Sequence, residues 1–120
     1  MKVRGADFVL YEVADLDRSI EFYRDVLELE LEMHVPDFKW AEFDVKPIAL
    51  ALFVPDRPPK AGGSIWLAVD DVVQAVEELK GKGVPVVMET LEYPHCWHAA
   101  VTDPDSNVVG LHQRKDGSFG

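Results

Sequence analysis

A chain of 120 residues has room for one domain, so separate cofactor and substrate domains are not expected, and 48% hydrophobic residues place it among globular rather than disordered chains. Twelve Lys and Arg against 22 Asp and Glu leave a formal charge of −10, a field that repels phosphate backbones and anionic lipid and argues against nucleic-acid or membrane partners. The single cysteine, Cys96, has no intrachain disulfide partner, and residues 1–8 (MKVRGADF) lack the apolar run of a signal peptide or membrane span, so a reducing cytoplasm is the expected location.

Residues 8–13 (FVLYEV) are apolar and β-branched enough for a strand, and Ala14-Asp15-Leu16-Asp17 supplies carboxylates that cap a helix start. Leu16, Ile20, Tyr23 and Leu27 then recur at helical spacing, with Asp17, Arg18, Glu21, Arg24 and Asp25 on the other side. This predicts one helix laying a single stripe on a sheet. Strand-like segments follow at 29–35, 40–45 and 48–54, separated by Pro36-Asp37 and Lys46-Pro47. Residues 55–63 (PDRPPKAGG) are too rich in Pro and Gly for an element interior and read as a linker. The order then repeats: a strand at 64–69, a helix at about 71–82 stopped by Gly81 and Gly83, strands near 84–90, 96–102 and 107–113, and a loose tail from 114 to 120.

A shift of 56 positions pairs Val13 with Val69, Asp15 with Asp71, Leu16 with Val72, Ile20 with Val76, Glu21 with Glu77 and Tyr23 with Leu79. Each unit reads strand, helix, strand, strand, strand, and its sheet has one helix for two faces. The expected fold is therefore α+β: a single domain of two tandem βαβββ modules, about 6–54 and 64–113, whose curved mixed sheets surround a cleft.

The run Val13-Ala-Asp-Leu-Asp-Arg-Ser-Ile-Glu-Phe-Tyr-Arg-Asp-Val-Leu27, its echo Val69-Asp-Asp-Val, and the hairpin Thr102-Asp-Pro-Asp-Ser-Asn107 resemble the vicinal oxygen chelate superfamily. This is the glyoxalase, bleomycin-resistance and extradiol-dioxygenase group, and the resemblance covers nearly the whole chain. Glu28 departs from it, because many relatives carry glycine there; a left-handed helix exit strains a glutamate, so a different exit is expected. In metal-using members, the resemblance implies His, Gln or Glu ligands on the first and fourth strands of each module. Those positions fall here on Phe8, Ser64, Gly110 and either Ala51 or Ala49. A divalent ion needs about three or four N, O or S donors, so neither a glyoxalase-type metal nor another cofactor is expected.

Strand alternation gives an independent reading of the cleft. Ile48, Leu50, Leu52 and Val54 face the helix and leave Ala49, Ala51 and Phe53 opposite; Val9, Tyr11 and Val13 leave Phe8, Leu10 and Glu12. By the same test Trp40, Glu42 and Asp44 oppose Ala41, Phe43 and Val45, while Ser64, Trp66 and Ala68 oppose Ile65, Leu67 and Val69. Trp97, Ala99 and Val101 go to the core, and Cys96, His98 and Ala100 join Gly110 and His112 on the cleft side. The predicted ligand surface thus combines aromatic planes (Phe8, Trp40, Phe53, Trp66), small residues leaving room (Ala49, Ala51, Ser64, Ala68, Gly110) and carboxylates (Glu12, Glu42, Asp44).

Aromatic faces attract cations by about 0.5–2 kcal/mol, so this surface suits a small planar or cationic organic compound. The bleomycin-resistance branch implies the same: small acidic homodimers that sequester a drug without a catalytic metal. The plainer readings are a dimer core for Trp66 and Phe8, an exposed edge for Glu12 and Glu42, and an inert thiol for Cys96. His98 and His112 are expected to meet across adjacent antiparallel strands. Three roles stay open for them: a relocated metal with His95 and Cys96, a metal-free acid/base pair with Glu12 as a further catalytic candidate, or hydrogen bonding to structure or ligand. The first two belong to a lyase, isomerase or dioxygenase.

Overall fold

The computed structural model describes residues 1–2, 4 and 6–118, so Phe119 and Gly120 of the expected tail lie outside the described residues. The chain divides into two compact units, Met1–Lys60 and Ala61–Gly120. The first contains β1 (Phe8–Glu12), α1 (Leu16–Glu21) continuing into a π-helical turn (Phe22–Val26), β2 (Glu30–Val35), β3 (Trp40–Val45) and β4 (Ile48–Phe53). The second contains β5 (Ser64–Ala68), α2 (Val72–Gly81), β6 (Val86–Glu92), β7 (Cys96–Thr102) and β8 (Val108–Arg114). Each unit builds a mixed four-stranded sheet, ordered β1-β4-β3-β2 and β5-β8-β7-β6, with the first strand parallel to the last and the other pairings antiparallel. The fold is α+β, two βαβββ modules in tandem.

The first helix begins as the sequence predicts, and the second starts after Asp71, which caps it rather than opening it. Asp15 and Asp71 are extended N-caps whose carboxylates accept from the Arg18 and Gln74 N–H groups, each at 3.0 Å. The Gln113 side-chain oxygen on β8 accepts from the Val72 N–H at 2.9 Å, tying the start of α2 to its own sheet. Under α1, Tyr11, Tyr23, Phe43, Leu50 and Leu52 are essentially inaccessible to solvent; Val72, Val101 and Val109 are so under α2. Burying a large aliphatic or aromatic side chain contributes about 1.5–3 kcal/mol, so these residues hold helix to sheet in each unit.

The first helix ends differently from the single 16–27 helix expected. In unit two, the Val84 N–H donates to the Leu79 carbonyl at 3.0 Å, and Gly83 at φ 77 makes the exit. In unit one, the corresponding bond runs from Leu29 N–H to the Tyr23 carbonyl at 2.9 Å, across one more residue. The π-helical turn absorbs that residue, with Leu27 N–H reaching back to the Phe22 carbonyl at 3.0 Å, and it seats both Phe22 and Tyr23 in the core. Glu28 stands where unit two has Gly83, and its φ of 60 corrects the expectation of a different exit. The left-handed conformation is imposed by the Leu29–Tyr23 closure despite a steric cost of about 1–2 kcal/mol.

Two strands in unit two are displaced from the predicted spans. The Val84 N–H is committed to the helix end and Pro85 has no N–H, so the β6 ladder starts at Val86 rather than 84 and continues to Glu92. Asn107 belongs to the turn before β8 instead of the strand. There the Asp103 carboxylate accepts from the N–H groups of Asp105 (2.9 Å) and Asn107 (2.7 Å) and from the Asn107 side-chain amide (2.9 Å). Both side chains are buried, so this hairpin is organised around a desolvated carboxylate.

Two stability changes are expected. Glu28→Gly relieves the left-handed strain, less the extra freedom of glycine when unfolded, and should raise the unfolding free energy by about 0.5–1 kcal/mol at unchanged denaturant slope. Asp103→Ala strands buried N–H groups and should lower it by about 2–4 kcal/mol, with Asp103→Asn intermediate. Urea unfolding followed by circular dichroism measures both; a Glu28→Gly protein no more stable than the parent removes the strain argument.

Candidate functional site

The face of the unit-one sheet away from α1 is set by the register, which places Phe8 opposite Ala49, Leu10 opposite Ala51, and both Glu12 and Trp40 opposite Phe53. The Trp40 ring meets Phe8 edge-on at 5.6 Å and 86° and Phe53 at 6.1 Å and 51°. Three of the four predicted aromatic planes therefore form one cluster, with Phe8 45% exposed at its margin. The Trp40 indole N–H donates to the Glu42 carboxylate at 3.0 Å, which orients the ring and engages the acid.

Glu12 was expected to orient a ligand, but residues 55–63 occupy it. The Arg57 guanidinium donates to both carboxylate oxygens, at 2.7 and 2.6 Å, and the Lys60 backbone N–H donates at 2.9 Å. Arg57 chiefly, then the Lys60 N–H, holds the Glu12 carboxyl at about 2, below its ordinary 4.5. Asp44 is likewise paired, with Lys46 at 2.7 Å. Nothing local in the sequence links Arg57 to Glu12, which lies 45 residues earlier.

In unit two the register sets Trp66 opposite Gly110, Ala68 opposite His112, and His98 directly opposite His112. Gly110 was expected to leave room for a ligand; the Trp66 indole fills that room. A Cβ on Gly110 would stand 2.1–2.6 Å from the indole atoms Cδ2, Cε3 and Cε2. The indole N–H donates to Ser64 Oγ at 3.0 Å, and the ring lies 5.4 Å from the His98 imidazole at 47°. Tyr93, which no pattern in the sequence singles out, also packs against His98, at 4.6 Å and 66°. Its position follows from the extension of β6 and the turn closed by Tyr93 N–H to the Cys96 carbonyl at 2.8 Å. Cys96 is a half-buried free thiol at the start of β7. Trp97, expected in the core, is only half-buried, and its ring carries the Lys115 ammonium at 4.8 Å.

The register also decides between Ala51 and Ala49. Leu10 opposes Ala51 as Trp66 opposes Gly110, so Ala51 is the unit-one counterpart of Gly110. The four positions at which the resemblance implies metal ligands present a phenyl ring, a methyl group, a hydroxyl already accepting an indole N–H, and a hydrogen atom. This set does not fit a divalent cation. Among the described residues, no three His, Cys, Asp or Glu side chains are grouped to hold a metal, the His95–Cys96–His98–His112 region included.

The Glu12–Arg57 pair makes a pH prediction of definite sign. The carboxyl titrates lower in the folded chain, near 2, than its ordinary 4.5, so the pair's stabilisation is complete above about 4.5 and is lost as pH falls from there through about 2. Arg57→Ala removes the main cause, and carbon-13 NMR of the Glu12 carboxyl should then show its midpoint moving up toward 4.5. A midpoint that stays near 2 in that variant refutes the assignment.

A profile of the Glyoxalase/Bleomycin resistance protein/Dioxygenase superfamily matches residues 5–111. Among solved structures, TnmS3, an antibiotic binding protein from Streptomyces sp. CB03234, superposes with a TM-score of 0.81 at 25% identity, covering 96% of this chain and 99% of its own. Lactoylglutathione lyase from Agrobacterium tumefaciens gives 0.77 at 23% identity, covering 99% of this chain and 100% of its own. A glyoxalase-related enzyme from Fulvimarina pelagi gives 0.76 at 17% identity, covering 98% of each. Binding proteins and enzymes thus share this architecture, and function must be argued from side chains. With two βαβββ modules and a profile match across most of its length, the chain belongs to the Glyoxalase/Bleomycin resistance protein/Dioxygenase superfamily.

Proposed function

We propose that this protein binds and sequesters a small, planar aromatic compound without a metal ion. The observation that carries the reading is the set of rings gathered on the sheet faces away from the helices. Each unit's helix-free sheet face presents aromatic side chains, and the positions at which the family resemblance implies metal ligands fall on Phe8, Ala51, Ser64 and Gly110, none of which is a usual ligand. Such a face binds by desolvation and stacking, worth about 0.5–1.5 kcal/mol per aromatic pair beyond area burial, rather than by coordination. The likeness to an antibiotic binding protein at 25% identity supports the binding of a small molecule.

The choice between a neutral and a cationic ligand turns on the carboxylates. Glu12 and Asp44 already hold Arg57 and Lys46, and Glu42 holds the Trp40 indole N–H. A cation must compete for each, which favours an uncharged ring. The proposal includes a homodimer acting in the cytoplasm, as the family resemblance and the single cysteine imply; among the described residues no helix is long and apolar enough to cross a membrane. A second reading, metal-free acid/base chemistry, rests on His98 lying directly opposite His112.

Titration with riboflavin, a neutral planar probe, and ethidium, a cationic one, followed by tryptophan emission and calorimetry, tests the proposal. Saturable binding with preference for the neutral probe is expected. Silence from both, or preference for ethidium, counts against it, and conversion of a bound compound that is lost in His98→Ala and His112→Ala favours the second reading.

A further inference from the structure

We infer that Ser64 and Gly110 are positioning residues, which together seat the Trp66 indole as a fixed platform whose outer face takes one flat, uncharged aromatic ring. The ligand named here rests on the proposed function; the seat itself does not.

A tryptophan 42% exposed on a strand ordinarily has several rotamers open to it. Here two contacts choose among them. Ser64 is two residues before Trp66 on β5, on the same face, and its Oγ accepts the indole N–H at 3.0 Å. Gly110 lies directly across the parallel β5–β8 pair, and its missing Cβ is what lets the ring lie down: any larger residue would place an atom 2.1 Å from Cδ2. The His98 imidazole, 5.4 Å away, bounds one side. One π face of the indole is thereby turned to the sheet and its N–H is engaged, so what remains for a partner is the other π face. That surface offers stacking without a hydrogen-bond donor, which selects flat rings over polar groups.

The family resemblance implies metal ligands at these two positions in ion-using members, and the residues present here suit the indole instead. Serine is too weak a donor to anchor a metal here, yet it is an adequate acceptor for an indole; glycine donates nothing, yet supplies the space. Unit one lacks this seat. Its corresponding pair is Leu10 over Ala51, and its tryptophan is oriented from β3 by Glu42 instead.

A background carrying Trp40→Phe and Trp97→Phe leaves Trp66 as the one tryptophan, and its anisotropy and acrylamide quenching report the seat with no ligand present. Ser64→Ala should lower anisotropy and raise quenching, while Ser64→Thr, which keeps the hydroxyl, should restore both. Gly110→Ala should do the same as Ser64→Ala. Should that variant be poorly folded, urea unfolding in paired backgrounds decides: the substitution should destabilise more beside Trp66 than beside Trp66→Ala. Riboflavin affinity should fall about two- to tenfold when the seat is lost, the range of one aromatic contact. Anisotropy unaffected by both Ser64→Ala and Gly110→Ala overturns the seat, and riboflavin affinity unaffected by unseating overturns the platform. If seating responds as stated but riboflavin fails to bind the parent, the seat is supported and the proposed function is what falls.

Discussion

Alternation along a strand, locked by cross-strand register, is the constraint on which the rest of this molecule depends. Tyr11, Leu50, Leu52 and Phe43 are buried against α1, and a slip of one residue would send all of them to the other face. At about 1.5–3 kcal/mol for each large side chain, no arrangement of the exposed rings competes with that core. The placement of Phe8, Trp40 and Phe53 is therefore inherited from the burial of their neighbours. In the second unit, Ile65, Leu67, Val109 and Val101 hold the register that brings Trp66 over Gly110.

The register also allows the two units to be compared position by position. Phe8 and Leu10 on β1 correspond to Ser64 and Trp66 on β5, Ala51 to Gly110, and the Trp40–Phe53 pairing to His98–His112. One scaffold thus carries two different surfaces. The first is a ring cluster with each nearby carboxylate engaged; the second is a seated indole beside the His98 imidazole, which in turn meets Tyr93 and lies across the ladder from His112. Among the described residues neither surface groups three side chains able to hold a metal, and both offer rings whose outward surface water covers poorly. Binding through desolvation is what these surfaces share.

How much of this was legible in the sequence depends on how local each feature is. The repeat, the Asp15 cap and, Trp97 apart, the buried faces follow from spacing within a few residues, and they stand as predicted. The π-helical turn does not, because it arises from the residue count between Tyr23 and the Leu29 closure, visible only once the bond is seen. Glu28 takes the conformation of Gly83 because closure geometry overrides residue preference. Among candidate site residues, alternation placed Phe8, Trp40, Phe53, Trp66, His98 and His112 on the faces where they lie. It was blind to what side chains do with each other across 45 residues, as in Arg57 with Glu12, and to a rotamer chosen by the strand opposite, as in Trp66 over Gly110.

Charge and aromaticity pull the ligand preference in different directions, and distance separates them. A formal charge of −10 draws cations from afar, but at physiological salt that field decays over about 8–10 Å. At contact range only neighbouring groups count. A cation brought to Glu12 meets the Arg57 guanidinium already bound at 2.6 Å, and one brought to Asp44 meets the Lys46 ammonium at 2.7 Å, so attraction and repulsion nearly cancel at both. A neutral flat ring faces no such competition: it displaces only the water over Phe8 or over the open side of Trp66, and the indole it meets is already fixed in place. The global field therefore governs which molecules approach, whereas the seated and clustered rings govern which ones stay.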